Sequence, residues 1–411
     1  MSLNGESKGN ESRSIRARRP SDRREQISAN ARELFVERGF HSVRMSDIAE
    51  VTGITSRALY RHYANKQALL SHVLFEAQGA FLAALPEYPA DADPGALPAT
   101  LHDMASASLA ERDMARLWRR EARHIEAEGL RVLRGRLNDL VSRLANVIRA
   151  RHPALAEVEV FVRAWAVIAI VNSHEESAGL FDQEQTARLL GAAALAAVDA
   201  EQAEQAEGTA GDPPESGRRW GSVSRREQLL AIAAGTFRRS GFDGASVDGI
   251  AMEAGIAGPA IYRYFESKTD MLVAIADRFR EWVSLETIRA LRAATSDTDA
   301  LGGLIGGYVK IAAEAEDLLS VTVTEAHHLP SDAAERLARA RTERSQEWAH
   351  WARAIRQDRS EAATQLLVNT AQVVVDDLVR TPRVVHAEGA AEALTSVATA
   401  VLRDTDTRPP R

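Results

Sequence analysis

The sequence predicts an all-α protein made of two tandem units. Three observations lead there. Apolar residues recur at helical spacing through most of the chain. A stretch of about fifty residues occurs twice. A polar segment, EQAEQAEGTAGDPPESGRRWGSV over 201–223, separates the copies and has no apolar periodicity. Each unit is expected to open with a three-helix head and continue into a helical body.

The repeat is the strongest signal. Met45 to Lys66 reads MSDIAEVTGITSRALYRHYANK, and Val247 to Lys268 reads VDGIAMEAGIAGPAIYRYFESK, 202 residues later. The register runs ungapped from Arg24/Arg226 to Leu70/Leu272, with roughly a third of the positions identical. In the first copy Ile48 and Ala49 form the apolar face of one short helix, and Ala58 and Leu59 that of a second. Gly53 sits at the junction, where a tight turn requires positive φ. Thr55 follows as an N-cap. Two short helices joined through such a turn make a helix-turn-helix, whose second helix enters the DNA major groove.

Taken in order, residues 1–20 are polar and carry Arg13, Arg16, Arg18 and Arg19. They read as a disordered basic tail, either an arm for DNA phosphates or a solvated leader. The first head spans 21–66, and its opening helix, Asp22 to Arg38, puts Ile27, Ala31, Leu34 and Phe35 on one stripe. Arg44 stands where the second copy has Ser246, a good cap. Ser46 is the substitute cap, which would leave Arg44 for a phosphate. The first body spans 67–200. A connecting helix runs to about Leu85, followed by helices near 99–111, 113–128 and 130–151. Val158 to Ser173 is nearly apolar all round, with Arg163 as the main exception, and so is expected to be deeply buried. Gln183 to Ala200 follows it.

The linker at 201–223 has a flexible reach of roughly 25 Å and an extended limit of about 75 Å. It permits the two halves of one chain to pair. The second head spans 224–268 and the second body 269–404, with helices to about 293 and near 298–316, 317–328, 331–357, 360–380 and 386–403. Residues 405–411 read as a disordered tail.

Composition narrows the class. The 411 residues are 45% hydrophobic, enough for two or three domains with sizeable cores. Cysteine is absent, so disulfides and thiolate metal sites are excluded, and a cytoplasmic location is expected. The longest apolar run, Trp165 to Val171, is far short of a membrane span. The formal net charge is −7, but it is segregated. Arg13 to Lys66 holds twelve Lys/Arg against six Asp/Glu, and Arg218 to Lys268 holds eight against five, leaving −16 for the rest. Two basic heads on an acidic body suit DNA binding through the heads.

Both copies resemble the DNA-binding domain of the tetracycline-repressor (TetR) family of bacterial transcriptional regulators. REQISANARELFVERGF with DIAEVTGITSRALYRHYANK carries the resemblance in the first copy, and REQLLAIAAGTFRRSGF with GIAMEAGIAGPAIYRYFESK in the second. The motifs cover about a quarter of the chain. The resemblance implies two tandem units, each a helix-turn-helix head on an effector-binding and dimerisation body. It implies double-stranded DNA and a small-molecule effector as partners, no cofactor and no membrane. It also implies that the last two helices of each body meet in a four-helix bundle. Here an intramolecular pseudo-dimer is expected; a dimer of whole chains with four heads is the alternative.

The expected DNA contacts follow. Thr55, Ser56, Arg57 and Arg61 are placed to meet base edges, and arginine reads guanine bidentately. Tyr60 and Lys66 match family positions that grip phosphate, and Arg44, Ser46 and His62 lie beside them. Tyr63 reads as core. In the second head Ala257 replaces the cap, Gly258 offers no side chain and Pro259 fixes the helix start. An intact scaffold is expected there, with Ser246, Pro259, Tyr262, Arg263, Tyr264 and Lys268 as the DNA set and weaker base discrimination. Packing alone is the alternative role for the tyrosines, and a surface charge for the lysines.

Glu121-x-x-His124 and Glu325-x-x-His328 repeat in the bodies. The spacing suits a carboxylate-bridged di-iron site, but the other carboxylates are missing, and a buried pair is the favoured reading. Trp118, Glu121, His124 and Trp165 are candidate effector contacts in the first body. Trp282, Tyr308, Glu325 and His328 are their counterparts in the second. No catalytic motif or metal motif appears, so an enzyme is not expected. The rival from another class is a ligand-binding or protein-interaction module with degenerate heads.

Overall fold

The computed structural model describes residues 20–83, 94–111, 113–174, 179–201, 224–381, 384 and 386–407. Residues 1–19 and 408–411 of the expected tails, residues 84–93 and nearly all of the expected linker lie outside the described residues, whereas Pro20 begins a helix and Thr405, expected in the disordered C-terminal tail, is buried. Among the described residues the regular elements are all helical. The chain divides into two compact units, one to Val73 and the other from Leu74.

The first unit is the first head: α1 (Pro20–Arg38), α2 (Met45–Thr52), α3 (Ser56–His62) and the start of α4 (Lys66–Ala83). Ile27, Ala31, Leu34 and Phe35 of α1 are buried with Ile48, Leu59 and Leu69. Full burial of such side chains is worth about 1.5–3 kcal/mol each. Gly53 takes φ 68°, its N–H bonds Glu50 O and the Ile54 N–H bonds Ala49 O, which closes α2 in a Schellman-type turn. Thr55 caps α3 by accepting the Ala58 N–H at 3.2 Å. Ser46 does not cap α2. The N-cap position belongs to Arg44, whose N–H is taken by Asp47 at 2.9 Å. An arginine side chain has no acceptor to return, so Asp47 carries this helix start alone.

The second unit opens with the first body: α5 (Leu97–Ala110), α6 (Asp113–Glu121), α7 (Ala127–Arg151), α8 (Glu157–Val171) and α9 (Gln183–Val198). It continues with the second head, α10 (Arg225–Gly244), α11 (Val247–Glu253) and α12 (Gly258–Ile261). The second body is α13 (Lys268–Ala293), α14 (Asp297–Glu314), α15 (Glu316–Thr324), α16 (Ser331–Ile355), α17 (Glu361–Val379) and α18 (Ala390–Arg403). The expected helix over 113–128 stops at Glu121. A 3-10 turn, Ala122–His124, follows, and Ile125 is extended. The second half breaks identically after Thr324, with a 3-10 turn at Ala326–His328. The expected last helix starts at Ala390 because Gly389, at φ 78°, ends the preceding turn.

The two halves share one core. α8, α9, α17 and α18 pack on one another as a four-helix arrangement within a single chain. Their side chains belong to one continuous apolar cluster that reaches from Leu97 to Leu402. Ser173 and Thr370, one from each half, are buried and bonded at 3.0 Å. Arg163, the buried cation of α8, is 2% exposed. It donates to Val198 O at 2.7 Å, at the carboxyl end of α9, with Glu159 at 3.8 Å. Arg359 does the same for α18, donating to Leu402 O and to Thr405 O at 2.8 Å. Each guanidinium satisfies carbonyls that a helix end leaves open and suits the negative end of the helix dipole. Burial draws both arginines down, Arg359 to about 10.

Candidate nucleic-acid interface and ligand cavity

In the first head, Thr55, Ser56, Arg57, Tyr60 and Arg61 are exposed on α3, with Arg44 and Ser46 exposed at the start of α2. Arg57, Tyr60 and Arg61 stand at i, i+3 and i+4, so they share one helical face. Tyr60 is 54% exposed, an unusual cost for a large ring unless something covers it. His62 is half-buried at the end of α3, and Tyr63 is buried against His72 with Arg24 over its ring.

The second head departs from the intact scaffold expected of it. α12 is a single turn, Gly258–Ile261, where α3 has seven residues. Ala257 supplies no cap. Beyond Ile261 the chain tightens, the Tyr264 N–H bonding Ile261 O and the Arg263 N–H bonding Ala260 O. Such i→i+3 closure is 3-10 geometry and does not extend a recognition helix. Ser246 does cap α11, accepting the Gly249 N–H at 3.0 Å. Pro259, Tyr262, Arg263 and Tyr264 remain exposed, Tyr262 as fully as Tyr60.

One residue was missed on the sequence. Asp248 is exposed beside this turn, at the position of Ser46 in the first head. A Cβ added at Gly258 would lie 2.5 Å from Asp248 Oδ1. The pair Asp248/Gly258 thus replaces Ser46/Ser56, and the offset alignment carried that signal. Asp248 sets a negative charge where the first head has a hydroxyl. Exchanging Asp248 for serine is expected to raise DNA affinity about three- to tenfold at low salt, read by fluorescence anisotropy, because one repulsion worth roughly 1 kcal/mol is removed.

The lysines also differ from expectation. Lys66 Nζ donates to Phe40 O at 2.5 Å and Val43 O at 2.8 Å and lies 4.2 Å from the Phe40 ring centroid. Lys268 repeats this with Phe242 O at 2.7 Å, Ala245 O at 3.1 Å and the Phe242 ring at 4.3 Å. Both ammonium groups turn inward and tie the loop after the first helix to the start of the connecting helix. That geometry is structural, and it is not the phosphate grip expected for them. The counted basicity of the second head is likewise partly spent: Arg239 pairs with Glu253 at 2.8 Å and Arg238 with Asp317 at 2.9 Å.

Of the expected effector residues, Trp118 and Trp165 line a cavity of about 380 Å³ in the second unit, while Glu121 and His124 do not. Tyr308 lines a separate cavity of about 210 Å³ in the second body, but Trp282, Glu325 and His328 do not. Their surroundings explain it. Glu121 is buried, with His124 at 3.8 Å. Glu325 is buried against Arg123 at 2.5 Å, the Phe242 N–H at 3.0 Å and Thr324. His328 stacks on Phe242, and Trp282 is 39% exposed. No helix among the described residues is long and apolar enough to cross a membrane.

Comparison with known proteins agrees with this architecture. Residues 27–73 and 229–275 each match the family described as bacterial regulatory proteins, tetR family. The chain is 36% identical over 82 residues to the HTH-type transcriptional repressor KstR2 of Mycolicibacterium smegmatis, covering 20% of this chain and 40% of that protein. It is 30% identical over 99 residues to the HTH-type transcriptional activator FasR of the same organism, covering 23% and 45%. The chain thus spans less than half the length of either relative. A TetR-family transcriptional regulator from Bordetella parapertussis aligns at 18% identity and TM-score 0.42, over 44% of this chain and 96% of that one. The family match thus falls on both heads, and the chain carries two tetR-type domains in tandem.

Proposed function

We propose that the chain is a DNA-binding transcriptional repressor in which one polypeptide supplies both reading heads. The observation that carries this reading is the pairing of α8 and α9 with α17 and α18 inside one chain, with a helix-turn-helix in each half. A regulator of this class reads two half-sites about one helical turn apart, roughly 34–36 Å. The first head, with α3 and its exposed arginines, reads bases. The second, with its single-turn α12, holds the backbone and discriminates less. Its operator is asymmetric, with one half strongly specified. Small molecules bound in the bodies shift the balance between DNA-competent and released conformations.

Selection of duplexes from a random pool tests the reading. The expected result is an enriched site with one well-defined half and one loose half. A strictly palindromic site with equal halves would overturn the asymmetry, and absence of any salt-sensitive duplex binding would overturn the function.

A further inference from the structure

The cavity of about 380 Å³ is shared between the halves. Trp118, Trp165, Phe81, Leu137 and Leu140 of the first half give it an apolar wall. Arg238, Ser320, Thr324, Asp377 and Arg380 come from the second half. Its size falls in the usual range for small-molecule sites.

Its charge is unbalanced. Arg119, Arg123, Arg134, Arg238 and Arg380 line it, against Asp377 alone. Arg238 is paired on Glu316 and Asp317. Arg119 and Arg380 share Asp377, at 3.8 and 3.6 Å. Burial draws Arg380 down, as do the guanidiniums of Arg119 and Arg123, against the opposing pull of Asp377 and Asp376. Two further donors, Arg123 Nε and Trp165 Nε1, are buried without an acceptor among the described residues. Buried donors of this kind are destabilising until an acceptor arrives.

The second body's counterpart is a cavity of about 490 Å³ that lacks the apolar wall, lined by Val323, Arg341, Arg344, Asn369 and Asp376. α7 and α16 run in register 204 residues apart, from Ala127/Ser331 to Arg151/Ile355. At that offset Trp118 becomes Thr322, Trp165 becomes Asn369, and Leu137 and Leu140 become Arg341 and Arg344. The smaller cavity there is crossed by the Tyr308 hydroxyl donating to Asp376 at 2.5 Å.

Arg123 joins the tryptophan-walled cavity to the second head. Its guanidinium pairs with Glu325, whose other oxygen accepts the Phe242 N–H at 3.0 Å. It also packs under Gly241, where an added Cβ would stand 3.3 Å from Arg123 Cζ. Gly241, at φ 73°, and Phe242 form the turn that ends the first helix of the second head, and Phe242 O holds Lys268.

We propose that this cavity binds one apolar organic carboxylate per chain, its anionic end on Arg119, Arg123 and Arg380, and that binding draws Arg123 from Glu325 and so loosens the turn at Gly241–Phe242. The bound carboxylate competes with Glu325 for the same guanidinium. This names the ligand class and the route of regulation within the function proposed above, and it rests on that function only for its effect on DNA.

The test uses the full chain without DNA. Titration calorimetry with decanoate and with 2-naphthoate is expected to give one site per chain. Decanol and 2-naphthalenemethanol are expected to bind at least tenfold more weakly, and Arg123→Gln is expected to weaken the anions by a similar factor. Hydrogen exchange at Phe242 is expected to speed up at least tenfold on adding the anion, with no such change at Phe40. In Glu325→Gln, exchange at Phe242 should already be fast and respond little. Equal binding of acid and alcohol, or no binding of either anion, would overturn the ligand class. Anion binding with unchanged exchange at Phe242 would overturn the coupling. Because no step uses DNA, failure of the regulatory reading would appear separately, as a chain that passes these tests and ignores duplexes.

Discussion

Alanine at both Arg57 and Arg61 is expected to cost the chain roughly a hundredfold or more in affinity for its selected operator. Each bidentate arginine contact to a base edge is worth about 1–3 kcal/mol of discrimination. No ion pair or side-chain hydrogen bond engages either arginine among the described residues, so both guanidiniums are available to a ligand. Both are exposed, and substitutions at such positions usually change stability by less than about 0.5 kcal/mol. The loss is therefore expected in binding, with an unchanged melting temperature. The matching change in the second head, Arg263→Ala, is expected to cost much less. Competitive gel shifts against scrambled duplex separate the two: the first variant loses preference for the operator, whereas the second loses mainly overall affinity. Equal losses from the two heads would contradict the asymmetry read from α3 and α12.

Alanine at Arg163 is expected to destabilise the chain by about 3–5 kcal/mol, the cost of removing one partner from a buried charged pair. The change strips Val198 O of the Arg163 donor and removes the guanidinium 3.8 Å from the buried Glu159. Because α8 and α9 pack against α17 and α18, the loss belongs to a core common to both halves. Chemical denaturation followed by the fluorescence of tryptophans in both halves, Trp165 and Trp348, should show a single transition moved to lower denaturant. Two separate transitions, with only the first half weakened, would contradict a shared core.

The sequence carried the architecture because its signals are local. The repeat at 202 residues, the Gly53 turn with its Thr55 cap and the apolar run around Arg163 each follow from short-range rules, and each has its expected place in the fold. What it did not carry depends on distant neighbours. Lys66 reads as a phosphate ligand until Phe40 O and Val43 O are seen around its ammonium. Glu325 reads as a pocket residue until Arg123, two hundred residues upstream, is found on it. The 3-10 breaks after Glu121 and Thr324 carry no proline or glycine to announce them. The shortening of α12 was half legible: the missing cap at Ala257 was visible, but the tight closure through Tyr264 and the reach of Asp248 over Gly258 were not.

In the proposed function one chain presents both heads to one operator. Sedimentation of the protein on a duplex bearing a single selected site measures this directly. One chain per duplex is the predicted result; two chains per duplex, with free protein also dimeric, would contradict it.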